Sequence, residues 1–242
     1  HFYNHHGAVQ DQLNRWKNFP GEVLDNIEFL LIDDCSDSPP VLDAEGLNLR
    51  LYRVTTDIPW NQAGARNLAT ILARSEWGLY FDIDQLLSEA GLPTLLKNLP
   101  LLDENTLYHL AIKNLWNSID NLKSRFHPAS FLVNLTRMKE IGMWDEDFAG
   151  HYGYEDVYMP MLWERNGGKR LLLSAPDFFE VNLDFKTETL DRDLERNKQL
   201  GLEKLGQFSH SQAPGIIRPK NMLRFDFLRW QTSSRRQTAP AN

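Results

Sequence analysis

The chain has 242 residues, 42% of them hydrophobic, which suits one large domain or a domain with an extension. Its 26 basic and 33 acidic residues leave a net charge of −7, which argues against a nucleic-acid partner, because phosphate backbones select basic surfaces. The lone Cys35 excludes an intrachain disulfide and a multi-cysteine zinc site, and it fits a reducing compartment.

Taken in order, the chain opens at "HFYNHH" without a methionine, so the first strand is expected to be truncated at that end. "AVQDQLNRW" spaces Val9, Leu13 and Trp16 as one face of a helix. "IEFLLIDD" is a buried strand ending in acids, and "LNLRLYRV" is another strand. "NQAGARNLATILARS" predicts a helix with Leu68, Ile71 and Leu72 on one face. "WGLYFDID" is the next buried strand, and "LPTLLKNL" a short helix. "TLYHLAIKN" and "ASFLVNLT" read as strands, with "RMKEIG" a helical turn behind the second. "EDVYMPMLWERNGG" is a helix closed by glycines, followed by the strand "KRLLLSA". Strands alternating with helices predict an α/β fold with a mostly parallel central sheet covered by helices on both faces. In such sheets ligands bind beyond the carboxyl ends of the strands, where Asp33-Asp34 and Asp82-Asp84 fall.

Past Leu183 the pattern changes to a charged amphipathic helix, "TETLDRDLERNKQLGLEKL", and then to a locally basic tail. That tail carries Arg218, Lys220, Arg224, Arg229, Arg235 and Arg236 among apolar residues. It offers a peripheral membrane contact, although a solvated, partly packed tail explains it as well. No apolar run reaches membrane-spanning length and no signal peptide opens the chain, so a cytoplasmic location is expected, peripheral to the inner membrane face if the tail engages it.

The chemistry rests on carboxylates. On a strand, Asp82 and Asp84 would face the same side, and two converging carboxylates call for a cation such as Mg²⁺ or Mn²⁺ bridging to substrate phosphates. A D-x-D pair also occurs in solvated loops. Asp33 and Asp34 could accept from a base N–H or merely shape a turn with Ser36 and Asp37. Arg66, early in its helix, could pair with an acid or a phosphate. In "FAGHYGYEDVYMPMLW", Glu155 and Asp156 open a helix, where acids also serve as simple dipole partners. The aromatic faces of Tyr152, Tyr154 and Trp144 would suit a pyranose, and one acid could act as general base.

In this order "FYN", "LLIDDCSD", "NQAGARNLA", "LYFDIDQLL" and "GMWDEDFAGHYGYEDVYMPMLW" resemble the family 2-type glycosyltransferases of GT-A fold over residues 1 to 185, with 186 to 242 as a helical and basic extension packed on the same domain. "FAGHYGYED" also resembles the acceptor motif of the galactosyltransferase branch. The resemblance implies that Phe2, Tyr3 and Asn4 end the first strand and touch the nucleotide. It implies that Asp34, with Asp33, holds the base, that Arg66 lies near the base and diphosphate, and that Asp82 contacts ribose or metal while Asp84 binds Mn²⁺ or Mg²⁺. Asp156 becomes the catalytic base of an inverting enzyme and Glu155 the acceptor-binding acid.

Expected partners are a nucleotide-sugar donor, in the first place a UDP-sugar, and a glycan, lipid-linked or other hydroxyl acceptor. The family's third metal-binding His has no counterpart in "SAPDFFEVNLDF"; Glu180, Asp177 or His210 would have to stand in, and Gln85 replaces a usual third acid. Those departures support an alternative, a catalytically inactive relative that binds nucleotide or sugar. A D-x-D phosphohydrolase and a nucleotidyltransferase fit less well: the motif is not on the first strand and no glycine-rich basic loop follows that strand.

Overall fold

The structure is a computed structural model that describes residues 1–113, 126–174, 177–181, 192–210 and 223–235, without the side chains of Val181 and of 207–210. The helices are α1 (His6–Trp16), α2 (Gly21–Leu24), α3 (Gln62–Leu72), α4 (Gly91–Asn98), α5 (Leu135–Glu140), α6 (Glu155–Arg165) and α7 (Glu195–His210). The strands are β1 (Phe29–Asp33), β2 (Leu49–Val54), β3 (Trp77–Tyr80), β4 (Gln85–Leu87), β5 (Thr106–Leu110), β6 (Ile112–Lys113), β7 (Phe131–Asn134), β8 (Lys169–Leu173), β9 (Phe179–Val181) and β10 (Phe227–Ser233).

Local pattern accounts for most of these elements. Val9, Leu13 and Trp16 of α1 are all buried, with Trp16 stacked on Phe29 of β1 at 4.3 Å. In α3 the expected face is partly displaced: Leu68 is buried, but Ile71 is 41% exposed because Ala63, Ala65 and Asn67 turn inward instead. Small residues there let the helix lie close to its neighbours. A Cβ on Gly64 would stand 2.2 Å from Asn61 Oδ1 and 2.6 Å from Phe225.

The sheets are mixed, which corrects the expectation of a mostly parallel central sheet. β1 and β2 pair in parallel, but β10 adds to β2 antiparallel. A second sheet runs β3-β7-β5-β8, antiparallel across β7 and parallel between β5 and β8. The third, β4-β9-β6, is again mixed. Antiparallel strands joining parallel ones are common in large α/β sheets, and their local sequence does not differ from that of parallel strands.

Phe2 makes a parallel bridge beside Asp33 at the end of β1. Between β1 and β3, which do not pair, lies a cavity of about 400 Å³ walled mostly by aliphatic and aromatic side chains, with Arg66 and Asp82 also in its lining. The carboxyl ends of β1 and β3 thus meet the N-terminal half of α3, and α6 begins nearby. No helix among the described residues is long and apolar enough to cross a membrane.

Candidate functional site

The two acids that close β1 have different surroundings. Asp33 is fully buried, bonds Arg53 Nη1 at 2.5 Å and accepts the Ser36 amide at 3.0 Å. It is therefore committed to anchoring β2 and the following turn. Asp34 is 7% exposed and accepts only Asn61 Nδ2, at 3.0 Å, among its described side-chain bonds. Burial pushes its carboxyl up to about 7, against the pull of the Asn61 bond.

The three residues that precede α1's loop also divide. Phe2 is in the core, 2% exposed, while its carbonyl accepts the Asp34 amide at 2.8 Å. Tyr3 is exposed. Asn4, at φ 57°, exchanges bonds with the Ser36-Asp37 turn, its amide donating to Ser36 Oγ at 2.8 Å. Phe2 and Asn4 thus shape the β1 end, and Tyr3 offers an exposed ring beside it.

In α3, consecutive residues point to different places. Arg66 is buried and bonds Asp82 Oδ1 at 2.5 Å, and its guanidinium lies 4.6 Å over the Trp144 ring. Asn67 instead ties the helix to the 144–146 segment, donating to Trp144 O at 2.9 Å and Glu146 Oε1 at 2.8 Å. With its amide oriented to satisfy both ends, Gln62 donates to Glu155 Oε1 at 3.1 Å and accepts from Arg66 Nη2 at 2.9 Å.

Asp82 and Asp84 come together by a different route from the expected one. β3 stops at Tyr80, and the acids sit in a turn where the Gln85 amide donates to Asp82 O at 3.0 Å. The same-face argument for a strand therefore does not apply; the turn does the work. Asp82 is pinned by Arg66, and His127 Nδ1 lies 3.6 Å from its other oxygen. Asp84 Oδ1 is buried with no hydrogen-bond partner, and burial, then Asp82, raise its carboxyl pKa. A buried oxygen of this kind is what a cation would satisfy. Among the described residues no group of three ligands stands ready, so a hard divalent ion would take these two carboxylates and complete its shell with phosphate and water.

The third contribution is the start of α6. Tyr154 occupies the N-cap position in left-handed conformation, φ 74°, which swings Glu155 and Asp156 into the cleft. Burial and the Asp156 charge push Glu155 up to about 8; burial and then Asp82 raise Asp156, whose surroundings also include Arg66 and His127. Asp82, Asp84, Glu155, Asp156, Arg66 and His127 therefore form one electrostatic cluster drawn from four distant parts of the chain. Burial and mutual repulsion thus act against ionising both carboxyls at once.

Several members were not legible in the sequence. Asn197 of α7 is fully buried and donates to the carbonyls of Phe148 (2.9 Å), His151 (2.9 Å) and Gly153 (2.7 Å), stapling the loop that carries the acids. Lys204 adds ion pairs of 2.7 Å to both Asp145 and Asp147. A Cβ on Gly201 would come 2.2 Å from Tyr154, so α7 needs glycine there. Asn61, Gln62 and His127 lacked any local signal beyond being polar next to apolar segments.

Other expectations are redirected. Trp144 is completely buried; Tyr154 and Tyr152 are both partly buried, Tyr154 stacked on Phe148 at 6.4 Å and Tyr152 beside the acids. Glu180 sits between Lys113 (3.6 Å) and Arg15 (3.9 Å), and Asp177 gives its carbonyl to Ser88 at 2.7 Å. Gln85 is buried and bonded to Ser130, a packing role. The His210 side chain, residues 114–125, and Arg218, Lys220 and Arg236 lie outside the described residues. The rest of the basic tail is engaged with the protein. Arg224 bonds Asp147, Arg235 bonds Asp25 at 2.9 Å, and Arg229 lies 5.7 Å over the Tyr52 ring.

Neither the family models nor the curated proteins contain a match to the sequence. Solved structures do. The fold resembles that of TarS. The S. aureus TarS 1-349 complex with UDP-GlcNAc superposes with a TM-score of 0.65 at 15% identity, over 87% of this chain and 65% of TarS. TarS 1-349 alone gives 0.53 and its UDP complex 0.56, each at 18% identity and over 74% of this chain, covering 58% and 57% of theirs. The chain thus spans less than two thirds of the TarS structures it matches. The likeness establishes that the chain shares the fold of TarS.

Proposed function

We propose that the chain is a glycosyltransferase that moves a sugar from a nucleotide-diphosphate donor, in the first place a UDP-sugar, to an acceptor hydroxyl with inversion. One observation carries the reading: acids from the β3 turn and from the start of α6 meet around Arg66 at the carboxyl ends of β1 and β3. Support also comes from the TarS complexes, which hold UDP-GlcNAc and UDP on a similar fold.

In this proposal Asp34, positioned by Asn61, accepts from the base, and Asp33 supports it from behind. Tyr3 borders the base, with Phe2 and Asn4 setting the strand end. Asp82 and Asp84 would hold Mn²⁺ or Mg²⁺, which when bound supplies positive charge to the departing diphosphate. Arg66, already paired with Asp82, orients that carboxylate and adds charge near the phosphates. Asp156 takes the proton of the acceptor hydroxyl as its oxygen attacks the anomeric carbon. The bond from that carbon to the phosphate oxygen breaks, its electron pair leaves with the nucleoside diphosphate, and one in-line step inverts the centre. Glu155 hydrogen-bonds the acceptor. A raised carboxyl pKa suits a base working near neutral pH.

The test is a panel of nucleotide sugars with and without Mn²⁺, read as thermal stabilisation and as released nucleoside diphosphate. Metal-dependent stabilisation with turnover supports the enzyme. Stabilisation without turnover for any donor supports the inactive binding relative, a reading favoured by the lack of a three-ligand group among the described residues. A cytoplasmic site of action and a membrane contact through the tail remain proposals tested by fractionation of the full-length protein.

A further inference from the structure

Two rings stand beside the acid cluster without belonging to the core. Trp60 and Tyr152 come from loops some ninety positions apart, are both half-buried, and meet at 4.7 Å between centroids with their planes inclined by 60°. Trp60 holds a left-handed backbone, φ 51°, a conformation that costs a bulky residue free energy and recurs at binding sites. Two neighbours hold it there: Pro59 O accepts the Gly150 amide at 2.7 Å, and Asn61 is fixed on Asp34. Tyr152 carries the Arg192 guanidinium at 5.8 Å and lies within electrostatic reach of Asp156, Glu155 and Asp82.

We propose that Trp60 and Tyr152 form a stacking wall for the apolar C–H face of a pyranose ring, whose hydroxyls then point at Glu155 and Asp156. A core pair would be sealed from solvent, whereas these rings remain open beside polar acceptors, the composition of a small-ligand site. Their inclination leaves no parallel slot for a flat base but accommodates a chair. The inference deepens the glycosyltransferase reading, and a pyranose of the donor and one of the acceptor share this chemistry.

The experiment is saturation-transfer NMR with methyl glycosides of glucose, galactose and N-acetylglucosamine, on the 242-residue chain with and without UDP and Mn²⁺. Signal transfer to the ring C–H protons is expected in the wild type, and at least a several-fold loss in W60A and Y152A, with recovery in W60F. Binding of UDP itself, measured calorimetrically, should change by less than about twofold in W60A. A tenfold rise in KM for the nucleotide sugar alone assigns the ring to the donor; the same rise for the acceptor alone assigns it to the acceptor. No transfer under any condition, or equal transfer in wild type and both alanine variants, overturns the wall, as does equal weakening of UDP. Should the wild type fail to bind UDP at all, the nucleotide-sugar reading falls, while the methyl glycoside arm still decides the wall. If W60A unfolds, W60F and Y152A carry the comparison.

Discussion

Asp33 and Glu155 are both buried carboxylates at the end of an element, yet they differ in what faces them. Asp33 has Arg53 at 2.5 Å and a backbone amide at 3.0 Å, so its charge is compensated inside the fold. Glu155 stands next to another acid, with its nearest cation, Arg66, already bonded to Asp82. The same contrast separates Asp82, which Arg66 holds, from Asp84, whose Oδ1 has no partner. Asp33, which holds the fold together, is paired, whereas Asp84 and Glu155, which would serve a ligand, lack an ion pair of their own among the described residues, and Asp82 stands between the two classes, held by Arg66 beside Asp84. The cost of keeping them buried is carried by the rest of the structure.

Four substitutions press on that contrast. The largest effect on turnover is expected from D156N: a fall of about a thousandfold, within the range for loss of a general base, with Tm unchanged or slightly raised because a strained charge is removed. Retained turnover would remove Asp156 from the mechanism. Next, D33N should cost about 3–5 kcal/mol, since it strands Arg53 half-paired in the interior, while D34N should keep stability and weaken UDP binding by about tenfold. Denaturant melts and calorimetry on the two variants side by side would reverse the roles of these acids if D34N proved the less stable. N197A removes three hydrogen bonds to the loop before α6; a fall in Tm of about 3–6 °C with a lower kcat is expected. Loss of Tm without change in kcat would show that the loop holds its acids unaided.

The last effect concerns pH. Glu155 has its pKa raised from 4.5 to about 8, so between those values the unfolded chain has lost a proton that the folded chain keeps. Folding stability therefore falls as pH rises from about 4.5 to 8, and the loss is complete above the folded value. Tm measured from pH 5 to 8.5 should decline, and the decline should be shallower in E155Q. A steeper or equal slope in E155Q would place the proton elsewhere.

What the sequence revealed follows from the range of the forces involved. Val9, Leu13 and Trp16 announce α1 because helical spacing is written in eleven residues, and "FLLID" announces β1 through its own apolar run. The division between Asp33 and Asp34 depends on Arg53 and Asn61, twenty or more residues away, and adjacent letters cannot show it. Asp82 and Asp84 lie near each other through a turn, because the strand that carries the periodicity ends at Tyr80. β10 carries little local signal because Arg229 and Gln231 interrupt its apolar run and its partner is β2, some 175 positions earlier. Trp144 read as a sugar platform because aromatics serve cores and sugars equally; only burial separates it from Tyr152.

The most direct measurement is calorimetric titration of UDP into the wild type and into D84N, with Mn²⁺ present and then chelated. Binding that requires the metal in the wild type and is lost in D84N, with both proteins equally folded, is the expected result. UDP affinity indifferent to both the ion and Asp84 would contradict the account.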